Sequence, residues 1–189
     1  MDPLLLAELT ERLFVHFTRG CWMAPLSDRL LPVLPLGPGR MGHLACGNAA
    51  DVARARAALV PGRGQGLAQG LAQDYAALAP RLRPLRAYEG FDDPLDPPEV
   101  PAELPADLSG EGPLILLSAA DVPLARLAGL LIAGAGRGMI WNPAPQAAAS
   151  AHLLMAALGP RAGGGLALIQ GDDDTGALLA RQGRVIRLP

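Results

Sequence analysis

The chain has 189 residues, half of them hydrophobic and only 4% aromatic, and its 16 basic and 18 acidic side chains leave a formal net charge of −2. That length carries one domain, or one domain with an arm, around a core of Ala, Leu and Val; the near balance of charge excludes the electrostatic footprint of a nucleic-acid or anionic-membrane binder. Cys21 and Cys46 are too few for a disulfide framework or a metal-ligand cluster, and read as two small core or surface thiols.

In chain order, residues 2–17 read as an amphipathic helix with Leu5, Leu6, Leu9, Leu13 and Phe17 on one broad face, packed on its own domain or docked on a partner. His16 reads as a boundary residue. Residues 24–47 form a β-hairpin arm: two short strands within 31–46 turn at Gly37-Pro38-Gly39, and Pro32 and Pro35 confine the first strand to an edge. Asn48 and Asp51 make a helix N-cap pair before a helix over 52–59. The run Gly62-Arg63-Gly64-Gln65-Gly66 lacks the Gly-Lys-Ser/Thr ending of a phosphate loop and reads as a connection. Another helix spans 67–82. The segment 88–112, rich in proline and carboxylates, cannot build a core and reads as an ordered wrap or a linker.

From Gly112 to Pro189 short apolar runs alternate with small-residue helices. Runs at 113–118, 138–141, 166–170 and 184–188 look like strands buried on both faces, and helices fit 123–133, 146–158 and 174–182. This alternation predicts a parallel sheet with right-handed crossovers, half of a Rossmann-like doubly wound α/β fold with flanking helices and a projecting β-hairpin arm. Pro123 suits a first helical turn, Gly159-Pro160 is placed to close the second helix, Asp172 and Asp173 to cap the third, and Gly183 to end it. The longest apolar stretch, 122–135, is broken by Arg126 and by glycines, so no membrane span is expected. Asp2, Glu8 and Glu11 interrupt any secretory pattern, and a cytoplasmic protein is expected by default.

No catalytic constellation stands out. Ser27, Ser109, Ser118 and Ser150 lack the context of a nucleophile elbow, and His16, His43 and His152 are not spaced as metal ligands on one helix face. Asp172-Asp173-Asp174 lacks the downstream glutamate of a calcium loop and reads as helix capping.

An ordered set of turns carries a family resemblance: Ala120-Asp121-Val122-Pro123, then Gly134-Ala135-Gly136-Arg137-Gly138, Trp141-Asn142-Pro143-Ala144-Pro145 and Thr175-Gly176. With Pro32-Val33, Gly39 and Ala49-Ala50-Asp51-Val52 in the N-terminal part, this order resembles the aldehyde dehydrogenase superfamily. The resemblance places the family's oxyanion-stabilising amide at Asp121, its ribose-holding lysine at Asn142, and its Ser-Glu pair at Ala144-Pro145. A carboxylate at Asp121 repels developing negative charge, Asn142 is short and uncharged, and Ala144-Pro145 offers no side-chain hydrogen bond. The family's catalytic cysteine and glutamate belong to later sequence.

The chain thus looks like the first part of such an enzyme with its chemistry removed, a pseudoenzyme. It is similar to the inactive dehydrogenase-like C-terminal domain of long bifunctional proline-catabolic flavoenzymes (PutA). The resemblance implies association: a homodimer through the arm, whose Val33, Leu34, Leu36, Met41 and Leu44 give apolar surface, or docking on an active dehydrogenase. No catalytic or metal-ligating residue and no required cofactor are expected. The alternative is a degenerate NAD- or NADP-type nucleotide sensor whose strand-end crevice is lined by Asp121, Trp141 and Asn142.

Overall fold

The computed structural model describes residues 13–37, 40–61, 67–93, 96–101, 104 and 112–189. Its centre is a six-stranded sheet in the order β3-β2-β8-β7-β6-β9, with β6 (Leu114–Ser118), β7 (Met139–Pro143), β8 (Leu166–Leu168) and β9 (Arg184–Leu188) mutually parallel. β2 (His16–Thr18) adds antiparallel to β8, and β3 (Cys21–Met23) antiparallel to β2. Strand side chains alternate between two apolar layers. Leu114, Leu116, Met139, Trp141, Leu166 and Leu168 share one cluster with residues of α2 (Leu67–Tyr88), α3 (Leu124–Ala135) and α4 (Ala148–Ala162). Ile115, Ile140, Ala167 and Ile169 share the other with Val52 and Ala55 of α1 (Ala49–Ala58) and Leu179 of α5 (Asp173–Ala180). A sheet covered on both faces explains why these strands read as continuous apolar runs, and it is the doubly wound α/β arrangement.

The helix ends follow local chemistry. At α1, Asn48 accepts from the N–H groups of Ala50 and Asp51 while Asp51 accepts from the Asn48 N–H, a reciprocal capping box. Asp172 caps α5 by accepting from the Thr175 N–H. Gly159-Pro160 does not end α4, which continues to Ala162 and closes at Gly163 with φ +58. Gly159 answers a different need: a Cβ there would lie 2.2 Å from Cε1 of Phe17, whose ring lies against the helix backbone. α2 likewise runs on to Tyr88 through Pro80 and Pro84. The 88–112 segment is an ordered wrap where it is described. The Glu99 N–H donates to Ala125 O, and a Cβ on Gly129 would sit 2.1 Å from Glu99 O, so the strap lies directly on α3.

The N-terminal helix reading fails in its described part. Residues 1–12 lie outside the described residues, but Leu13–Phe14 (β1) and His16–Thr18 are strands. His16 is no boundary residue; it is fully buried, as are its neighbours Phe17 and Thr18. Aromatic and β-branched side chains on a strand covered on both faces mimic the broad face of a helix at this short length.

The hairpin is present as β4 (Leu30–Gly37) and β5 (Arg40–Ala45), with register shifts next to Pro32 and Pro35, and β1 adds parallel to β5 to make three strands. β4 is an edge strand, as its prolines require. The apolar surface expected on the arm is largely internal: Leu34, Leu36 and Leu44 are buried in this chain, while Met41 is 42% exposed. No helix among the described residues is long and apolar enough to cross a membrane.

Candidate functional site

A crevice of about 700 Å³ opens beyond the carboxyl ends of the parallel strands. Ser118 at the end of β6 and Ala120 beyond it, Asn142 and Pro143 of β7, Arg187 of β9, and Asp172 and Gly176 at the start of α5 are among its walls. This is where open α/β sheets place ligands, because loops diverge there and helix N-termini point their N–H groups toward it.

The residues expected to line it are divided by the structure. Asn142 does line it, but its Nδ2 donates to Ile169 O at 2.9 Å and is committed to holding β7 against the residue after β8. Gly176 permits this packing, since a Cβ there would lie 3.1 Å from Asn142 Oδ1. Trp141 is not a wall residue: it is 1% exposed and its indole N–H donates to Ser118 Oγ at 3.0 Å. Strand alternation sends its side chain to the face opposite Asn142. Asp121 is exposed and lies outside the wall, which on this side ends at Ala120.

The helix N-termini are filled by carboxylates of the chain itself. At α3, Asp93 Oδ2 accepts from the Leu124 N–H at 2.8 Å. At α4, Glu89 Oε1 accepts from the N–H groups of Ala149 and Ser150 at 3.1 and 2.9 Å. At α5, Asp172 accepts from Thr175, with Asp173 and Asp174 adding charge in the first turn. One or two of the first N–H groups of each helix are thus taken by a carboxylate of the chain, and of the three carboxylates Asp172 lines the crevice.

One buried arginine ties two of these carboxylates together. Arg86, at the end of α2, is 1% exposed; its Nη1 lies 3.5 Å from Glu89 Oε2 and its Nε 3.3 Å from Asp93 Oδ2. Nη2 donates to Ala120 O at 2.9 Å, and the guanidinium lies 4.3 Å from the Phe91 ring centroid. Burial pushes the Glu89 carboxyl above its ordinary value, although the Ser150 N–H and Arg86 oppose it. Sequence reasoning passed over this network. Its signal was a cation in a last helical turn followed by carboxylates three and seven residues on.

A second polar cluster joins β2 to α1. The Gln170 N–H donates to His16 Nδ1 at 3.2 Å, and His16 Nε2 lies 3.6 Å from Asp51 Oδ2. Asp51 also accepts from the Leu26 N–H and from Arg54. Burial lowers the His16 pKa, with Asp51 opposing it. Three of the aromatic rings gather around His152, which stacks on Trp22 at 4.0 Å while Phe14 meets His152 and Phe17 meets Trp22 edge-on. Burial lowers His152 to about 4.

No sulfur nucleophile faces the crevice. Cys46 is buried, and burial, then the nearby Asp172 carboxylate, push its thiol up, so it stays protonated and unreactive. Cys21 is exposed on β3 and lines a separate depression with Arg19 and Arg54. Ser118 and Ser150 are spent on structural hydrogen bonds to Trp141 and to Ala147 O. Ser109 and the glycine run 62–66 lie outside the described residues. Among the described residues no group of three His, Cys, Asp or Glu side chains is set to hold a metal ion.

The architecture is the α/β fold of aldehyde dehydrogenases. HpcC from Thermus thermophilus superposes with a TM-score of 0.69 at 20% identity, over 93% of this chain and 43% of that one. Betaine aldehyde dehydrogenase from Staphylococcus aureus, solved with NAD+, gives 0.67 at 14% identity over 94% and 44%. Proline utilization A (PutA) from Bdellovibrio bacteriovorus gives 0.65 at 17% over 93% and 23%. The chain thus spans less than half the length of each of these three structures. No family model matches the sequence, and no curated protein matches it.

Proposed function

We propose that this chain is a non-catalytic, aldehyde-dehydrogenase-like protein that acts by association, in oligomerisation or by docking on a partner enzyme such as an active dehydrogenase. The observation that carries the reading is the filling of three helix N-termini around the strand ends by Asp93, Glu89 and Asp172. A dinucleotide pyrophosphate in the crevice would have to lie beside Asp172 and Asp173, which is electrostatically costly. The protonated, enclosed Cys46 and the committed Asn142 side chain support the same reading. Self-association through the arm now rests on Leu30 and Met41, 47% and 42% exposed, a smaller surface than the composition alone suggests.

The runner-up is a degenerate nucleotide sensor, favoured by the size and position of the crevice. Turnover separates catalysis from both readings. Incubation with NAD or NADP and a broad aldehyde panel is expected to give no hydride transfer above background, because no cysteine lines the crevice to form the hemithioacetal from which hydride leaves. Turnover that Cys21→Ala or Cys46→Ala abolishes would overturn the non-catalytic reading.

A further inference from the structure

The hairpin of β2 and β3 forms the end of the sheet opposite β9. Its turn has two residues, Arg19 and Gly20, with φ 52° and 76°, the left-handed pair that a tight hairpin needs. Glycine takes that conformation readily, whereas arginine does so under strain that asparagine would relieve. Residues paired across the two strands share a face. Phe17 and Trp22 meet in the aromatic cluster, so Thr18 with Cys21, and His16 with Met23, face the other way, where His16 meets Asp51 of α1.

On this face a depression of about 400 Å³ lies between Thr18, Arg19, Cys21 and Met23 of the hairpin and Arg54 and Ala58 of α1, with no carboxylate in its wall. Thr18 is only 3% exposed, yet among the described residues its hydroxyl forms no hydrogen bond. Arg54 Nε, a buried donor in the same wall, also has no partner. Arg54 Nη2 is anchored to Ala24 O at 2.7 Å and to Asp51 Oδ1 at 2.8 Å, which holds the guanidinium in place. The Cys21 thiol is exposed at the rim. Two unsatisfied donors, two cations and a free thiol thus converge on one apolar-floored depression, and enclosed donors call for an acceptor.

We propose that this depression is a thiol-modification site, in which Cys21 exchanges with a low-molecular-weight disulfide of acidic, peptide-like character. The Cys21 thiolate, its proton given to water, attacks one sulfur of the disulfide. The new Sγ–S bond forms as the old S–S bond breaks, and the departing thiolate takes up a proton. The cysteine sulfur is oxidised and the departing sulfur reduced, so the disulfide is the only oxidant required. The retained half lies in the depression with its carboxylates toward Arg19 and Arg54 and a carbonyl accepting from the Thr18 hydroxyl. The two cations also draw an anionic disulfide toward the thiol before reaction. This site is separate from the strand-end crevice and does not rest on the association reading.

The test is the rate and equilibrium of mixed-disulfide formation with oxidised glutathione and with cationic cystamine, read by intact-protein mass spectrometry. A peptide of residues 16–23 serves as the unfolded reference. A single adduct, absent from Cys21→Ser, is expected, and the preference of the folded protein for the glutathione disulfide should exceed that of the peptide at least tenfold. Arg19→Asn suits the left-handed turn better and should raise the urea midpoint, yet reduce that preference at least threefold, a combination that a merely structural role would not give. Thr18→Val should shift the glutathione equilibrium toward the free thiol at least threefold, with the cystamine equilibrium and the circular dichroism spectrum unchanged. A charge preference equal to that of the peptide would overturn the inference by reducing Cys21 to an ordinary exposed thiol. So would a preference that Arg19→Asn leaves intact, or a glutathione equilibrium that Thr18→Val leaves intact.

Discussion

At the scale of single residues the chain spends its polar groups on itself. Glu89 is the clearest case, since one carboxylate serves two backbone donors of α4 and faces Arg86. Glu89→Ala would leave those donors unpaired and Arg86 with a single carboxylate, a loss of roughly 3 kcal/mol. Glu89→Gln keeps an acceptor and should cost about half as much. Urea midpoints at constant m-value measure both, and a Glu89→Ala change within experimental error would contradict the plugging role. His152 makes a pH prediction. Its folded pKa lies near 4 against an ordinary 6.5, so the unfolded chain takes up this proton first on acidification. Its contribution is present above pH 6.5 and is lost as pH falls toward 4, amounting to about 3 kcal/mol. His16 shifts in the same direction, and Glu89, raised by burial, in the opposite one. His152→Phe preserves a ring on Trp22 without the titration. Its stability should fall less steeply than wild type over that window, and parallel curves would refute the assignment.

At the scale of elements the structure separates what a residue suggests from what its surroundings demand. Gly159 looked like a helix terminator in sequence because Pro160 follows it, yet its role is to admit the Phe17 ring from β2. Gly159→Ala should therefore destabilise by about 1–2 kcal/mol, although alanine is the better helix former by roughly 1 kcal/mol. In a Phe17→Leu background the same change should be neutral or stabilising. A stabilising Gly159→Ala in the wild-type background would show that the contact is soft. Such long-range contacts are what a local pattern cannot display. The parallel strands β6 to β9 and the caps Asn48 and Asp172 were legible, because buried apolar runs and capping chemistry are written within a few residues. His16–Thr18 was not, since a short strand buried on both faces lacks the alternation that separates it from a helix. The Arg86 network was not legible as a site either. Its carboxylates act on helices that begin far along the chain, and only the fold brings Asp93 to Leu124 and Glu89 to Ser150.

For the whole molecule, the aldehyde dehydrogenase fold provides a strand-end crevice of about 700 Å³ with Asp172 and Asp173 in its wall. Of the three residues expected to line it, Asn142 alone does so, because strand alternation turns Trp141 into the opposite layer and Asp121 stands out in solvent beyond Ala120. On the proposed association reading, this crevice holds no nucleotide. Thermal unfolding of the wild-type protein across a titration of NAD and NADP into the millimolar range tests it most directly. A flat midpoint with both is expected. A saturating rise, equivalent to about 2.7 kcal/mol at 100 times the dissociation constant, would contradict it.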